Sequence, residues 1–229
     1  MLLESLFSKY NKLVLFDTET TGLNYSRDEV IEFAAVVLEQ VDGMPTVTET
    51  YDELVTLTPG NFVPPKIEQL TGISNMDILE RGIPKTQVCR DIARMFAGER
   101  VLLLAYNAHF DLSFLFYLLL RSGDHSILKG KDKLDLLTVY KDRRNFPHKL
   151  CNAIEAYGLQ DRVVNSHRAV DDVLATVEVM KCMDAERDDL LRYINLFGYY
   201  AKYGVEGKPI GSVTYKPQSL DTNIPLYEV

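Results

Sequence analysis

Short runs of apolar residues dominate the first 57 positions and have the length of β-strands. Residues 13–16 are all apolar and end at Asp17, shortly before a Thr20-Thr21-Gly22 turn, so we predict a short buried strand there. Residues 30–39 and 46–57 are rich in β-branched and aromatic side chains, and Asp42-Gly43 between them is a hairpin turn signal. The predicted sheet therefore begins with antiparallel strands.

After Pro64 the apolar residues take on helical spacing. We predict helices over residues 66–70, 75–80 and 85–97, each followed by a glycine that ends it. Residues 101–105 then have the character of a strand, and residues 111–120 are apolar on nearly every face, as in a helix buried against a sheet. A last short strand is predicted at residues 134–136, with helices near 138–143, 149–157 and 168–185. Strands that first pair and then alternate with helices predict an α/β fold, a mixed sheet flanked by helices.

The length and composition of the chain fit one main globular domain. It has 229 residues, of which 46% are hydrophobic and 25% charged, and this is enough apolar material for one sizeable core. We place that domain at residues 1–187 and interpret residues 188–229 as an appendage, with a hairpin around residues 206–208. Because Glu4 interrupts the first apolar run and the longest apolar stretch is too short to span a bilayer, we expect a cytoplasmic protein without membrane segments.

The net charge of -8 and the pI near 5.1 argue against a protein that coats nucleic acid with its whole surface. Charge is unevenly distributed, however, since residues 121–149 carry eight basic and four acidic side chains. This segment is either an ordinary solvated surface or a basic rim that follows phosphates beside an acidic site. Three cysteines without CxxC spacing indicate neither a zinc site nor a disulfide framework.

Two acidic residues, Asp17 and Glu19, stand at the end of the first predicted strand. Side chains two positions apart in an extended chain point to the same face, so these carboxylates converge. Like charges at short range raise each other's proton affinity unless a hard cation neutralises them, and oxygen-only ligation favours Mg²⁺ or Mn²⁺ over Zn²⁺. Taken alone, the pair is also compatible with a solvated strand end.

Asp111 follows the strand predicted at residues 101–105, at the start of the next helix. An aspartate in that place is either the N-cap, which accepts a hydrogen bond from an orphan backbone N–H, or a site residue. Ligands gather at the carboxyl ends of strands in α/β sheets. Both Asp17 and Asp111 would lie at that edge if their strands are parallel neighbours.

A third candidate segment, Ser166-His-Arg-Ala-Val-Asp-Asp172, begins the helix predicted at residues 168–185. We expect Ser166 to cap this helix and His167 to lie in its first turn. Both Asp171 and Asp172 lie off the centre of the predicted apolar face, so helical spacing leaves the choice between them open. Asp172 is preferred because it shares its side with two small residues that permit close approach to the sheet. The predicted apolar face comprises Val170, Val173, Leu174, Val177 and Met180.

In this order and spacing, the three segments resemble the DEDDh branch of the proofreading-type 3′-to-5′ exonuclease family. Phe16-Asp-Thr-Glu-Thr-Thr-Gly22 is similar to the first motif of that family almost letter for letter, and Asn107-Ala-His-Phe-Asp111 is similar to the second. His167 followed five residues later by Asp172 matches the third, which leaves Asp171 as the unmatched neighbour. The resemblance covers about residues 10–185 and includes Leu70-Thr-Gly-Ile73 between the first two motifs.

The resemblance implies a ribonuclease-H-like fold, with a five-stranded mixed sheet of three antiparallel strands followed by two parallel ones. It also implies stepwise release of 5′-mononucleotides from the 3′ ends of nucleic acid. Two divalent cations, Mg²⁺ or Mn²⁺, would share Asp17 as a bridging ligand. Glu19 and Asp172 would complete the shell of one cation, and Asp111 would hold the second, partly through water. His167 would act as general base and take the proton from the attacking water.

The same resemblance implies further substrate contacts. Thr20 would meet the 3′ end through its backbone, Leu23 would lie as an apolar wedge beside the terminal base, and Asn107 would lie near the sugar or the scissile phosphate. Leu23 is equally compatible with a plain core position after a turn. Tyr106 stands where family members often carry histidine.

The natural substrate is open between DNA and RNA, because the metal chemistry does not involve the 2′-hydroxyl. DNA is preferred, since the first motif most resembles polymerase-associated members. The expected partners are single-stranded or frayed 3′ ends and, for proofreading or repair, a polymerase or repair protein. The alternatives are an exoribonuclease that trims 3′ ends and, from a different class, an inactive metal-binding nucleic-acid module whose residues 197–218 dock a polymerase. A metal-dependent phosphomonoesterase would explain the carboxylates but not the third motif.

Overall fold

A five-stranded mixed sheet forms the centre of the computed structural model, which describes residues 2–197. Its strands are β1 (Lys12–Thr20), β2 (Val30–Val41), β3 (Met44–Leu54), β4 (Val101–Ala105) and β5 (Asp132–Asp135). They lie side by side in the order β3-β2-β1-β4-β5. β2 pairs antiparallel with both β1 and β3, whereas β4 runs parallel to both β1 and β5. The predicted fold, with three antiparallel strands followed by two parallel ones, is therefore confirmed.

The hairpin between β2 and β3 turns at Asp42 and Gly43, as the sequence predicts. Both residues have positive φ, 51° and 77°, and the flanking Val41 and Met44 are paired. A two-residue loop with positive φ at both positions matches the right-handed twist of the strands, and glycine adopts that conformation without steric cost.

Helices cover both faces of the sheet. They are α1 (Glu4–Lys9), α2 (Pro65–Thr71), α3 (Asn75–Arg81), α4 (Lys85–Phe96), α5 (Ala108–Ser122), α6 (Leu136–Arg143), α7 (Leu150–Ala156) and α8 (Ala169–Glu186). All except α1 begin within three residues of a predicted helix. The apolar pattern does not predict α1, because this six-residue helix is stabilised by burial of Leu6 and Phe7 against the sheet rather than by its own length.

Each face of the sheet has its own apolar core. On one face, α1 and α8 pack against Leu13 and Leu15 of β1. On the other, α4 and α5 pack against Val14 and Phe16. The side chains of β1 alternate between the two cores because successive residues of a strand point to opposite faces. The carboxyl end of β1 therefore lies between α8 and α5.

The chain continues to pack on the sheet beyond the predicted domain boundary at residue 187. Leu190, Tyr193 and Phe197 are buried, and Oδ1 of Asn195 accepts a hydrogen bond from the backbone N–H of Lys133 at 2.9 Å. The remainder of the predicted appendage, including the hairpin predicted around residues 206–208, lies outside the described residues. Within residues 2–197 no helix is both long and apolar enough to cross a membrane.

Candidate active site

The carboxyl end of β1 directs two acidic side chains toward α8. Leu13 and Leu15 face the core beside α8. Asp17 and Glu19 follow at the same two-residue spacing along the strand, so they continue that face. Both side chains are half-buried. The alternation of a single strand thus brings the predicted pair to one side of the sheet.

α8 supplies a third carboxylate to the same place. Asp172 is buried in the first turn of α8, and one oxygen each of Asp17, Glu19 and Asp172 lies within 4.8 Å of the other two. We call these three residues the carboxylate cluster. Asp171 is not part of it, and its carboxylate accepts a hydrogen bond from the hydroxyl of Ser166. The structure therefore brings Asp172, and not its neighbour, to the pair on β1.

The packed face of α8 differs from the predicted one. Leu174, which belongs to the predicted apolar face, is exposed, whereas Asp172 and Thr176 are buried. α8 packs against both β1 and β2, so it buries a wider arc than one apolar stripe, and this arc includes polar residues near the strand ends. The apolar spacing does not predict the centre of the contact between α8 and the sheet, because it takes only apolar side chains into account.

Asp111 approaches Asp17 from the side of α5. This helix begins at Ala108 with Asn107 in the cap position, so the interpretation of Asp111 as an N-cap is wrong. Oδ1 of Asp111 instead accepts hydrogen bonds from the backbone N–H and the hydroxyl of Thr18, at 3.0 and 2.7 Å. Asp111 stands outside the carboxylate cluster, but its charge is near enough to raise the pKa of Asp17.

Burial raises the pKa of each carboxylate in the cluster, and repulsion by neighbouring site carboxylates raises it further for Asp17 and Glu19. Burial is the larger cause for Asp17, and the charges of Asp111 and Glu19 add to it. Burial also raises the pKa of Glu19 to about 8, with the charge of Asp172 as the next cause. The pKa of Asp172 is raised by burial as well. The site therefore favours either bound protons or bound cations.

The cluster has few hydrogen-bond donors of its own. Oδ1 of Asp172 accepts one hydrogen bond from the side-chain amide of Asn165, at 2.7 Å. Among residues 2–197 no donor contacts the carboxylate oxygens of Asp17 or Glu19. Converging, partly buried carboxylates without donors are unfavourable unless a cation neutralises them. A ligand set made of oxygens alone fits Mg²⁺ or Mn²⁺.

His167 stands beside the carboxylate cluster but not inside α8. The helix begins at Ala169, and His167 precedes it with an exposed ring and a φ of 58°. Arg168 occupies the cap position without a side-chain capping bond. The predictions that His167 lies in the first helical turn and that Ser166 caps the helix are therefore wrong. His167 is still close enough for its charge to act on the carboxylate of Asp172, and both residues line one cavity.

That cavity, which we call the groove, has a volume of about 580 Å³ and extends from Asp172 of the carboxylate cluster to the segment between α6 and α7. His167 and Asp172 line one part of it, and Lys141, Phe146 and Lys149 line another. The side chain of Phe146 is 80% exposed. The groove thus joins the acidic site to a wall with an exposed aromatic ring and two cationic side chains.

The three predicted substrate contacts have different environments. Thr20 is buried, and its hydroxyl donates a hydrogen bond to the carbonyl oxygen of Gly22 at 2.7 Å. Leu23 is 84% exposed, so its interpretation as a core residue is wrong. Asn107 is exposed, has a φ of 74° and lines the groove.

Tyr106 connects the end of β4 to the far wall of the groove. Its hydroxyl donates a hydrogen bond to the carbonyl oxygen of His148 at 2.8 Å, and its ring packs near that of Tyr140. The hydrogen bond fixes the backbone of the segment that carries Phe146 and Lys149. Tyr106 therefore helps to shape the groove.

The basic segment at residues 121–149 does not form a continuous rim. The side chain of Arg143 is 1% exposed and pairs with Asp189. Lys133 is also buried and donates to a backbone carbonyl oxygen. Lys141 and Lys149, in contrast, line the groove. The prediction of a phosphate-following rim therefore applies to a few side chains of the segment and not to the whole of it.

Two buried carboxylates that the sequence analysis did not single out hold the backbone of the site. Glu32 of β2 lies opposite Glu19 and accepts hydrogen bonds from Arg168 and Ala169. Asp135, at the end of β5, accepts hydrogen bonds from the backbone N–H groups that begin α5. A signal for Glu32 was present, because it is the one charged residue among positions 30–38, and a charge buried in a strand requires a partner.

Comparison with known proteins places this geometry in context. The exonuclease family RNase_T matches residues 14–180. The 3′-5′ exonuclease DinG of Bacillus subtilis (strain 168) is 35% identical over 170 residues, which cover 72% of this chain and 17% of that protein. DNA polymerase III subunit epsilon of Aquifex aeolicus (strain VF5) is 29% identical over 172 residues, which cover 72% of this chain and 77% of that protein.

A third relative, DNA polymerase III PolC-type of Caldanaerobacter subterraneus subsp. tengcongensis, is 30% identical over 185 residues, which cover 77% of this chain and 12% of that protein. The chain thus spans less than a fifth of the length of the DinG and PolC-type relatives. Among solved structures, E. coli Exonuclease I in complex with a dA16 oligonucleotide aligns with a TM-score of 0.69 and 21% identity, over 80% of this chain and 42% of that chain. At this identity the likeness concerns the fold, which is ribonuclease-H-like.

Proposed function

This chain belongs to the exonuclease family, and from that premise we propose that it is a divalent-cation-dependent 3′-to-5′ exonuclease that releases 5′-mononucleotides from single-stranded or frayed 3′ ends. The observation that carries the proposal is the carboxylate cluster, whose three oxygens lie within 4.8 Å of one another at one end of the groove, beside His167. Phosphodiester hydrolysis requires stabilisation of negative charge and a group that accepts a proton from water. The cluster and His167 suit these two tasks.

The carboxylate cluster supports the binding of two Mg²⁺ or Mn²⁺ ions. Asp17, Glu19 and Asp172 would hold the first ion, and Asp17 together with Asp111 would hold the second. The hard oxygen donors and the raised pKa values of the cluster favour this assignment. Bound cations would supply electrostatic stabilisation to the attacking and leaving oxygens of the phosphodiester.

His167 is assigned the role of general base. Its ring is exposed in the groove and stands outside the group of possible metal ligands. Histidine titrates near neutral pH, so a positioned imidazole can take a proton from water and return it to solvent within one turnover. The adjacent carboxylate of Asp172 would stabilise the imidazolium while it carries that proton.

The groove favours an unpaired strand as substrate. Phe146 presents an exposed ring on which a nucleobase can stack, and Lys141 and Lys149 can contact phosphates. A base stacks on a protein side chain only when it has left the duplex. The substrate is therefore a single-stranded or frayed 3′ end. Thr20, Leu23 and Asn107 would make further contacts to the terminal nucleotide.

DNA is the proposed natural substrate, and a DNA polymerase or repair protein is the proposed partner. The support comes from relatives named as DNA polymerase III and from the first motif, Phe16 to Gly22. Trimming of RNA 3′ ends is the second candidate activity, because nothing in the carboxylate cluster distinguishes the two sugars.

The proposal is tested with a 5′-end-labelled single-stranded DNA oligonucleotide and its RNA counterpart, each incubated with Mg²⁺ or with a chelator. We expect a ladder of labelled products shortened from the 3′ end, together with free 5′-mononucleotides, in the presence of Mg²⁺ alone and faster on DNA. Release of inorganic phosphate would instead indicate a phosphomonoesterase. Binding without any product would indicate an inactive nucleic-acid module.

Metal binding is tested separately from turnover, by thermal unfolding with and without Mg²⁺ or Mn²⁺. A ligand at about 100 times its Kd stabilises the folded state by about 2.7 kcal/mol, so the Tm of the wild type should rise by several degrees. A variant with alanine at Asp17, Glu19, Asp111 and Asp172 should show no rise. An equal rise in that variant would place the cations elsewhere.

A further inference from the structure

Next to the carboxylate cluster, a buried glutamate accepts hydrogen bonds from the side chain of Arg168 and the backbone of Ala169, the two residues that follow His167. Glu32 is 0% exposed and lies directly opposite Glu19 in the register of β1 and β2. Its Oε2 accepts a hydrogen bond from the backbone N–H of Ala169 at 2.7 Å. Its Oε1 accepts one from Nε of Arg168 at 2.8 Å and another from Nη2 of the same guanidinium. Three donors from two consecutive residues therefore meet one carboxylate of a distant strand.

The backbone at His167 needs such an external support. Its φ of 58° lies in the left-handed region, where a residue with a side chain stays only if the surrounding structure holds it there. Arg168, in the cap position of α8, makes no side-chain capping bond. Glu32 supplies an acceptor for the N–H of Ala169, one of the N–H groups at the start of α8 that have no partner within the helix. β2 therefore helps to hold the conformation of the turn before α8.

We propose that Glu32 and Arg168 form a clamp that positions His167 beside the carboxylate cluster. Both are positioning residues, since they act through His167 and its backbone rather than on the substrate. The inference rests on the proposed function, because it assigns a purpose to the placement of the general base. Displacement of a reacting group by about 1 Å can cost roughly 10²-fold in rate, so a clamp on the adjacent backbone has kinetic consequences.

Kinetics on the labelled DNA oligonucleotide test the clamp. Glu32→Gln places an amide N–H₂ against the guanidinium of Arg168, and Arg168→Ala removes the guanidinium. We expect each change to lower kcat by about 10²-fold and to leave KM within about twofold of the wild type. Arg168→Lys should recover part of the kcat lost in Arg168→Ala, because it keeps the charge next to Glu32 but not the planar fork.

A double variant separates a clamp on His167 from a general loss of structure. If Glu32 acts through His167, the variant that combines Glu32→Gln with His167→Ala should be no slower than His167→Ala alone. Losses that multiply would show that Glu32 acts independently of His167, and the clamp would be overturned.

Arg143 provides a matched control. It forms another buried pair between an arginine and an acidic residue, with Asp189, and it does not line the groove. Arg143→Ala should lower the Tm and leave kcat at 25 °C unchanged. A drop in kcat equal to that of Glu32→Gln would mean that any buried ion pair has this effect, and the specific clamp would be rejected.

A readout without turnover distinguishes failure of the clamp from failure of the proposed function. The chain has four histidines, so NMR of histidine-labelled protein, assigned with His167→Ala, follows each ring. Glu32→Gln should shift the resonance of His167 and spare those of His109, His125 and His148. An inactive wild type that shows this shift would overturn the exonuclease function and keep the clamp. An active wild type in which Glu32→Gln changes neither kcat nor the resonance would overturn the clamp and keep the function.

Discussion

Two sets of carboxylates lie near the same edge of the sheet, and they differ in how many hydrogen bonds they accept. In the carboxylate cluster of Asp17, Glu19 and Asp172, the oxygens face one another, and the structure supplies few donors to them. Glu32 and Asp135 are also buried, but each accepts several hydrogen bonds from backbone and side-chain donors. Burial therefore does not make a carboxylate a functional one. The carboxylates of the proposed metal site are acidic groups that the fold brings together while it supplies few hydrogen-bond donors to them.

Glu32 and Asp135 hold the starts of the two helices that bring acidic residues toward β1. Asp135 accepts hydrogen bonds from the N–H groups of Asn107 and Ala108, at 3.0 and 3.1 Å, where α5 begins. Glu32 binds the first N–H of α8 in the same manner. These two helices carry Asp111 and Asp172. Each helix that brings an acidic residue toward β1 is thus held at its N-terminus by a carboxylate from a strand, which also suits the positive end of the helix dipole.

The largest expected effect comes from the carboxylate cluster itself. Asp17→Ala should lower kcat by at least about 10³-fold, because it removes the proposed ligand shared by two cations whose stabilisation of the transition state is worth several kcal/mol. In the absence of metal the same variant should have a Tm equal to or above that of the wild type, since repulsion with Glu19 and Asp111 is relieved. Nucleotide release and thermal unfolding measure the two results. Near-normal turnover in a folded variant would contradict the metal assignment.

His167 should separate proton transfer from metal binding. General base catalysis contributes about 10² to 10⁴ in rate, so His167→Ala should lower kcat by that factor while Mg²⁺ still raises the Tm. Asp172→Ala should damage both, because Asp172 is a proposed ligand. If Mg²⁺ no longer raised the Tm of His167→Ala, His167 would be a metal ligand and not the general base.

Asp171 is the matched control for Asp172. It lies next to Asp172 in the chain but outside the carboxylate cluster, since adjacent helical residues are about 100° apart. Asp171→Ala should therefore cost little activity. If Asp171→Ala were inactive and Asp172→Ala active, the acidic residue of the third motif would be Asp171 and not Asp172.

Removal of a carboxylate that accepts several hydrogen bonds should destabilise the protein, in contrast to Asp17→Ala. Asp135→Ala should lower the free energy of unfolding by about 3 kcal/mol, because it leaves the N–H groups of Asn107 and Ala108 and the hydroxyl of Thr138 without their acceptor. Denaturant unfolding measures the change. If Asp135→Ala and Asp17→Ala changed stability in the same direction and by the same amount, the distinction between the two sets of carboxylates would fail.

The last expected effect is a pH dependence of the metal-free protein. The pKa of Glu19 is about 8 in the folded state, against an ordinary value of 4.5, so the folded state binds the proton more tightly. Its contribution to stability is fully present below pH 4.5 and is lost as the pH rises through about 8. The Tm without metal should therefore fall between pH 5 and pH 9, and less so in Glu19→Gln. A Tm that rises over this range would contradict the raised pKa.

Several features could be predicted from the sequence because they depend on neighbours along the chain. The Asp42-Gly43 turn follows from the conformations that these two residue types tolerate, and the structure confirms it. The shared face of Asp17 and Glu19 follows from the two-residue repeat of a strand. The order of strands and helices gave the α/β class in the same way. Each of these properties is set within a few residues, where steric rules act directly.

Only the tertiary structure determined which distant residues these local features contact. Apolar spacing left Asp171 and Asp172 equivalent, and the packing of α8 on β1 and β2 buried the second of them. The sequence is compatible with Asp111 either as a cap or as a site residue, and in the structure it contacts Thr18, 93 residues away in the chain, and does not cap α5. Glu32 and Arg168 are 136 residues apart and still share hydrogen bonds. Local periodicity determines which way a side chain points. Its partner, however, belongs to a distant element that packs beside it. Which element packs there depends on the burial of apolar surface over the whole sheet.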